Sequence, residues 1–105
     1  MKIIKQQLSL IACAIGLALT MAGAHAADDK HARNLAAPCA ACHGTNGHSV
    51  GGTPVLAGLD QALFVSQMKD FKSGARPATV MHQHAKGYTD EEFELLGAYF
   101  AAQKR

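Results

Sequence analysis

The sequence has no tryptophan, and cysteine occurs only at Cys13, Cys39 and Cys42. Setting aside the first 26 residues leaves 79, with few large apolar side chains, too few for the chain alone to build a sufficient core easily. A buried covalent cofactor would fill that gap. Excess charge is also missing. Residues 27–105 hold eight Lys/Arg against eight Asp/Glu, and the net charge of +2 at pH 7 rests on Lys2 and Lys5. With no basic stripe, neither nucleic acid nor an anionic membrane is suggested as a partner. No convincing strand pattern, internal repeat or low-complexity linker appears, so 105 residues allow one all-α domain at most.

The first quarter of the chain differs in composition from the rest. Lys2 and Lys5 form a basic start, Leu8 to Leu19 is an apolar run interrupted by little but Ser9 and Gly16, and Ala24-His25-Ala26 offers small residues where a signal peptidase reads. The pattern predicts a signal peptide over residues 1–26, cleavage after Ala26, export to a bacterial periplasm and no membrane insertion afterwards. Two other readings stay open here. The uncharged stretch from Gln6 to Ala24 is barely long enough for an uncleaved anchor. Leu10-Ile11-Ala12-Cys13 resembles a lipobox, which would place a lipid on Cys13.

From residue 27 the chain reads as helices separated by loops. A first helix is expected from Asp29 to Ala37, ended by Pro38. Five glycines between Gly44 and Gly58 predict a long loop, of the kind usually functional in a small domain. Asp60 is a plausible N-cap for a helix to Ser73 that Gly74 stops, with Leu63, Phe64, Gln67, Met68 and Phe71 on one core face. Gly74 to Gly87 reads as irregular, with a short helical turn near its centre. Thr89 and Glu92 make a capping box for a last helix to about Gln103, in which Phe93, Leu96, Tyr99 and Phe100 recur at helical spacing.

Removal of the leader would leave Cys39 and Cys42 as the two cysteines, and a bridge across two residues would constrain little of the unfolded chain. Cys39-Ala40-Ala41-Cys42-His43 instead matches C-x-x-C-H. In that motif two thiols add across the two vinyl groups of one haem, and the next imidazole coordinates its iron. Two competing readings are weaker. A thioredoxin-like redox pair needs a βαβ context, and a zinc site needs further Cys or His ligands at suitable spacing. The sixth iron ligand is assigned to Met81, which follows a Gly/Pro-containing loop. Met68 reads as core filler on a helix, and His82 and His84 are rival ligands or loop surface. His31 and His48 read as solvated, as do Lys69, Lys72, Arg76 and Lys86.

With these residues placed, residues 27–105 resemble the class I c-type cytochromes over nearly their full length: helix, C-x-x-C-H, glycine-rich loop, helix, methionine loop, and a last helix bearing an aromatic pair. Cys39 to Asn46, Phe71 to Met81 and Ala85 to Glu92 look like the cytochrome c4 type. They look still more like the cytochrome subunit of flavocytochrome c sulfide dehydrogenase. Those relatives commonly carry two such domains, whereas this chain has one motif. The resemblance implies a small cytochrome c fold around one haem c held through Cys39 and Cys42, with His43 and Met81 as axial ligands. It also implies that Pro54 offers its carbonyl to the axial imidazole, that Leu56 packs on the porphyrin, and that Ala32 or Ala36 crosses Tyr99 or Phe100.

The function so implied is periplasmic single-electron transfer with no catalytic residue of its own. The partner would be a redox protein, either a sulfide-oxidising flavoprotein subunit or, for a free-standing carrier, an oxidase or reductase. A small apolar patch around Cys39, Val50 and Val55 is the expected docking point. A haem enzyme or gas sensor would instead need an open sixth position, and a non-haem CxxC protein would hold no haem at all.

Overall fold

Asp60 and Gly74 bracket the longest helix, α3 (Gln61–Ser73). The Asp60 carboxylate accepts from the Leu63 amide at 2.9 Å, and Gly74 takes the left-handed conformation at φ +83° that ends the helix. In the computed structural model, residues 28–105 are described. The predicted leader and its cleavage point after Ala26 lie outside them. The chain divides into Met1–Lys30 and His31–Arg105, and the core lies in the second unit.

Residues 28–36 form α1, followed by a 3-10 turn Ala37–Cys39, a four-residue α2 (Ala40–His43) and a second 3-10 turn Thr45–Gly47. Pro38 occupies the first positions of the 3-10 turn, where its missing N–H leaves no bond unmade. After an irregular loop come α3, α4 (Met81–Lys86) and α5 (Asp90–Ala101), and there is no strand among the described residues.

The segment expected to be irregular contains α4 in its second half. This helix has no side-chain cap. The Val80 carbonyl takes both the Gln83 and His84 amides, at 3.0 and 3.2 Å, and Ala85 is fully buried. Tertiary packing against α3 therefore sustains a helix that local signals do not announce.

At α5 the capping box is complete: the Thr89 hydroxyl accepts from the Glu92 amide at 3.1 Å, and the Glu92 carboxylate accepts from the Thr89 amide at 2.8 Å. The helix stops at Ala101, two residues before the expected end. Its last carbonyls are taken elsewhere, Tyr99 by the Gln103 side-chain amide at 2.8 Å and Phe100 by the Gly58 amide at 2.9 Å.

The core is built on α3 and α5. Phe93, Leu96 and Phe100 are fully buried, each contributing about 1.5–3 kcal/mol of transfer free energy, and Ala36, Phe64, Val65, Met68 and Ala85 complete the cluster. On α3 the buried residues are Phe64, Val65 and Met68, while Leu63 stands 46% exposed, contrary to the expected face. Gly97 permits the close approach of α5 to the start of α3. A Cβ there would meet Gln61 Cγ at 3.1 Å and Phe64 Cδ1 at 3.3 Å, so its absence lets α5 draw Phe64 inward.

Asp60→Ala, which removes the α3 cap without touching the core, is expected to cost about 1 kcal/mol. A urea midpoint that falls while the m-value holds would show it.

Candidate functional site

The end of α2 delivers His43 to the interior. Its side chain is 8% exposed, and its Nδ1 lies 2.7 Å from the Pro54 carbonyl oxygen. A carbonyl can only accept, so Nδ1 carries the proton and Nε2 keeps its lone pair. That is the tautomer a metal-ligating imidazole needs.

Cys39 and Cys42 are free thiols on the same turn, Cys39 half-buried and Cys42 exposed. Burial pushes the Cys39 thiol above its ordinary value, against a smaller opposing pull from its own backbone amide. Among the described residues, no three His, Cys, Asp or Glu side chains gather as an ion would require.

Pro54 is held beside His43 by the loop that follows the motif. The Gly47 carbonyl accepts from both Leu56 and Ala57, at 2.9 and 3.2 Å, and Gly58 is tied to Phe100. Gly47 is buried at φ +80°, and a Cβ there would lie 2.8 Å from Ala57 N and from Leu56 Cβ. Leu56 is half-buried against the core, as are Cys39 and Met81. Met81 is the first residue of α4 rather than part of a loop, and Met68 is buried within the core cluster. His82 is half-buried and His84 exposed.

The residues present fit a covalent haem on three counts. Two free thiols share one turn, a buried imidazole carries the required tautomer, and two side chains of the loop and of α4, Leu56 and Met81, lie half-covered on the same core.

Two assignments made from sequence need revision or extension, and one residue joins them. Lys72 is not a solvated lysine: it is half-buried, donates to the Tyr88 carbonyl at 2.6 Å and lies 5.3 Å from the centre of the Phe93 ring. His48 is exposed, yet both its ring nitrogens meet carbonyl oxygens, of Thr45 at 3.1 Å and of Lys104. Tyr88, unremarked in the sequence, donates its hydroxyl to the Leu35 carbonyl at 3.1 Å. Burial raises its phenol above the ordinary value, with the nearby Cys39 and Glu92 charges adding to the effect.

Lys69 reaches Asp90 at 3.8 Å in an exposed pair worth little to stability. Val50 is wholly exposed and Val55 45% exposed, and residues 34–59 include no Asp, Glu, Lys or Arg.

The chain is 46% identical over 66 residues to the cytochrome subunit of sulfide dehydrogenase of Chlorobaculum tepidum, covering 63% of this chain and 60% of that one. It is 40% identical over 83 residues to cytochrome c4 of Pseudomonas aeruginosa, across 77% of this chain and 41% of the other. Over 88 residues it is 34% identical to cytochrome c-553 of Helicobacter pylori, across 82% of this chain and 90% of the other. The chain thus spans under two thirds of the first of these relatives and about two fifths of the second. No protein-family profile matches it.

Proposed function

This chain belongs to the class I c-type cytochromes, and from that premise we propose that it is an exported single-electron carrier whose haem is held by Cys39 and Cys42 and ligated by His43 and Met81. The observation that carries the reading is the buried His43, its Nδ1 proton fixed on Pro54, one residue after a pair of free thiols.

The c-type haem of the family supplies the one-electron couple. The chain's own residues do the rest. Pro54 keeps the His43 proton on Nδ1, so the other nitrogen stays available and more basic. Leu56 adds an apolar surface on that side. Met81 would close the sixth position with a thioether, which favours the ferrous form and raises the potential. Closing that position removes any place for a substrate, which is why a relay is favoured over a haem enzyme or gas sensor.

The partner is a redox protein. The relative from Chlorobaculum tepidum is named as a subunit of a sulfide dehydrogenase. By analogy, a flavoprotein that oxidises sulfide is the proposed electron donor, with a free-standing carrier as the alternative. Docking would use the exposed Val50 and Val55 on a stretch of chain without charge, which suits a small and transient encounter. Residues 1–26 are proposed as the export signal that brings the protein to the periplasm. No helix among the described residues is long and apolar enough to cross a membrane.

The deciding experiment is a pyridine haemochrome spectrum on acid–acetone-extracted, denatured protein. Thioether-linked haem stays with the chain, and one haem per chain is expected. Haem lost to the solvent, or none at all, would sink the proposal. Co-purification with a flavin-containing chain separates the subunit from the free carrier.

A further inference from the structure

The chain has two tyrosines, one just before α5 and one on it, and both hydroxyls point at the same short segment. Tyr88 donates to the Leu35 carbonyl at 3.1 Å, four residues before Cys39. Tyr99 donates to the Asn46 side-chain oxygen at 2.6 Å, three residues after His43. One phenol therefore holds each flank of the C-x-x-C-H turn, and each reaches 53 residues along the chain to do so.

Their bases are anchored alike. Tyr88 precedes the N-cap of α5 and its ring lies 6.4 Å from that of Phe93, while Tyr99 sits near the end of α5 with its ring 5.2 Å from Phe100. Phe93 and Phe100 are fully buried. Lys72 adds a third support, since its ammonium donates to the Tyr88 carbonyl.

The turn has only short-range backbone bonds of its own, such as the Gly44 amide on the Ala40 carbonyl at 3.0 Å. α2 has four residues, too few for helical cooperativity, and Gly44 beyond it is at φ +79°. Before it, Pro38 has no N–H to offer the Leu35 carbonyl three residues back, and that carbonyl takes the Tyr88 hydroxyl. After it, Asn46 stands at φ +54°, a conformation that side chains seldom adopt, with its side chain held by Tyr99.

We propose that Tyr88 and Tyr99 are positioning residues that clamp the two ends of the haem-attachment turn, one onto the approach to α5 and one onto α5 itself, keeping His43 in one place through both oxidation states. The proposal rests on the haem reading above. Electron transfer is fast where the ligand set barely rearranges, and that requires supports locked by packing and hydrogen bonds. Here each support is a ring packed on a buried phenylalanine and ending in a hydroxyl.

The test is the double variant Tyr88→Phe/Tyr99→Phe, which keeps both rings and removes both hydroxyls. Asp60→Ala serves as the comparison, because it weakens the fold from α3 without touching either phenol. In the double variant, amide hydrogen exchange over residues 39–48 is expected to quicken tenfold or more, with α3 unchanged. Electron self-exchange between ferric and ferrous protein is expected to slow at least fivefold. Asp60→Ala should lower stability and do neither.

Unchanged exchange over residues 39–48, unchanged self-exchange in haem-bearing double variant, or equal slowing by Asp60→Ala would each overturn the proposal. Absence of thioether-linked haem in the wild-type protein would overturn the functional reading instead, and the hydrogen-exchange comparison would still decide whether the clamp exists.

Discussion

Met81→Ala is expected to open the iron to external ligands while leaving the fold almost intact. Ferrous protein should pass from negligible to rapid carbon monoxide binding, and the reduction potential should fall by on the order of 100 mV, within the roughly 0.8 V that axial ligands span. The fold tolerates the change because Met81 begins α4 half-buried at the edge of the core. Met68→Ala makes the opposite prediction. Met68 lies inside the cluster with Phe64, Phe93 and Leu96, so truncation leaves a cavity and costs about 2–5 kcal/mol. A domain of this size has only about 4–12 kcal/mol in all. The Met68 variant should therefore unfold at much lower urea, yet its residual folded fraction should keep a closed sixth position. If both variants bound carbon monoxide alike, or if Met68→Ala alone did, the assignment of Met81 would fail.

Gly47→Ala should be strongly destabilising. Two penalties combine. A side chain at φ +80° costs about 1–2 kcal/mol, and the added methyl would press on the Ala57 amide and Leu56 Cβ at 2.8 Å and on Phe100 Cδ1 at 3.0 Å, for about 1–3 kcal/mol more. A loss of about 2–5 kcal/mol lowers the thermal midpoint by at least about 10 °C in a domain this small. The effect should also reach the iron ligand. Leu56 and Ala57 hang from the Gly47 carbonyl, and Pro54 two residues earlier holds His43. The His43 Nδ1 proton, followed by NMR, should exchange with solvent faster. Gly51→Ala and Gly52→Ala are the controls, because a Cβ at either position meets nothing within 4 Å. A Gly47 variant as stable as these would show that the loop does not depend on the close approach.

What could be read from the sequence was local. Asp60, Gly74, Thr89 and Glu92 set helix ends through bonds spanning three or four residues, and each sits where the pattern put it. Cys39, Cys42 and His43 lie within five consecutive residues, so their chemistry is written in spacing alone. What was hidden depends on distant chain. Leu63 is exposed and Val65 buried because α3 packs against both α4 and α5, a choice made by those distant helices. Lys72 leaves the solvent because Tyr88 and Phe93 receive it, and His48 is engaged because Lys104 comes alongside. α4 forms through burial of Ala85 rather than through a cap. Periodicity reports which residues are apolar, but it does not say which helix will meet them.

The 53-residue reach of the two phenol bonds bears on the order of assembly. Closing a loop about four times longer than the 13 residues of α3 costs about 1.2 kcal/mol more in chain entropy, and this must be met before the contact returns anything. During synthesis, the attachment turn precedes both tyrosines that grip it. Cys39 and Cys42 therefore spend an interval on slack chain, open to a porphyrin approaching from outside, and the grip tightens only after α5 has docked.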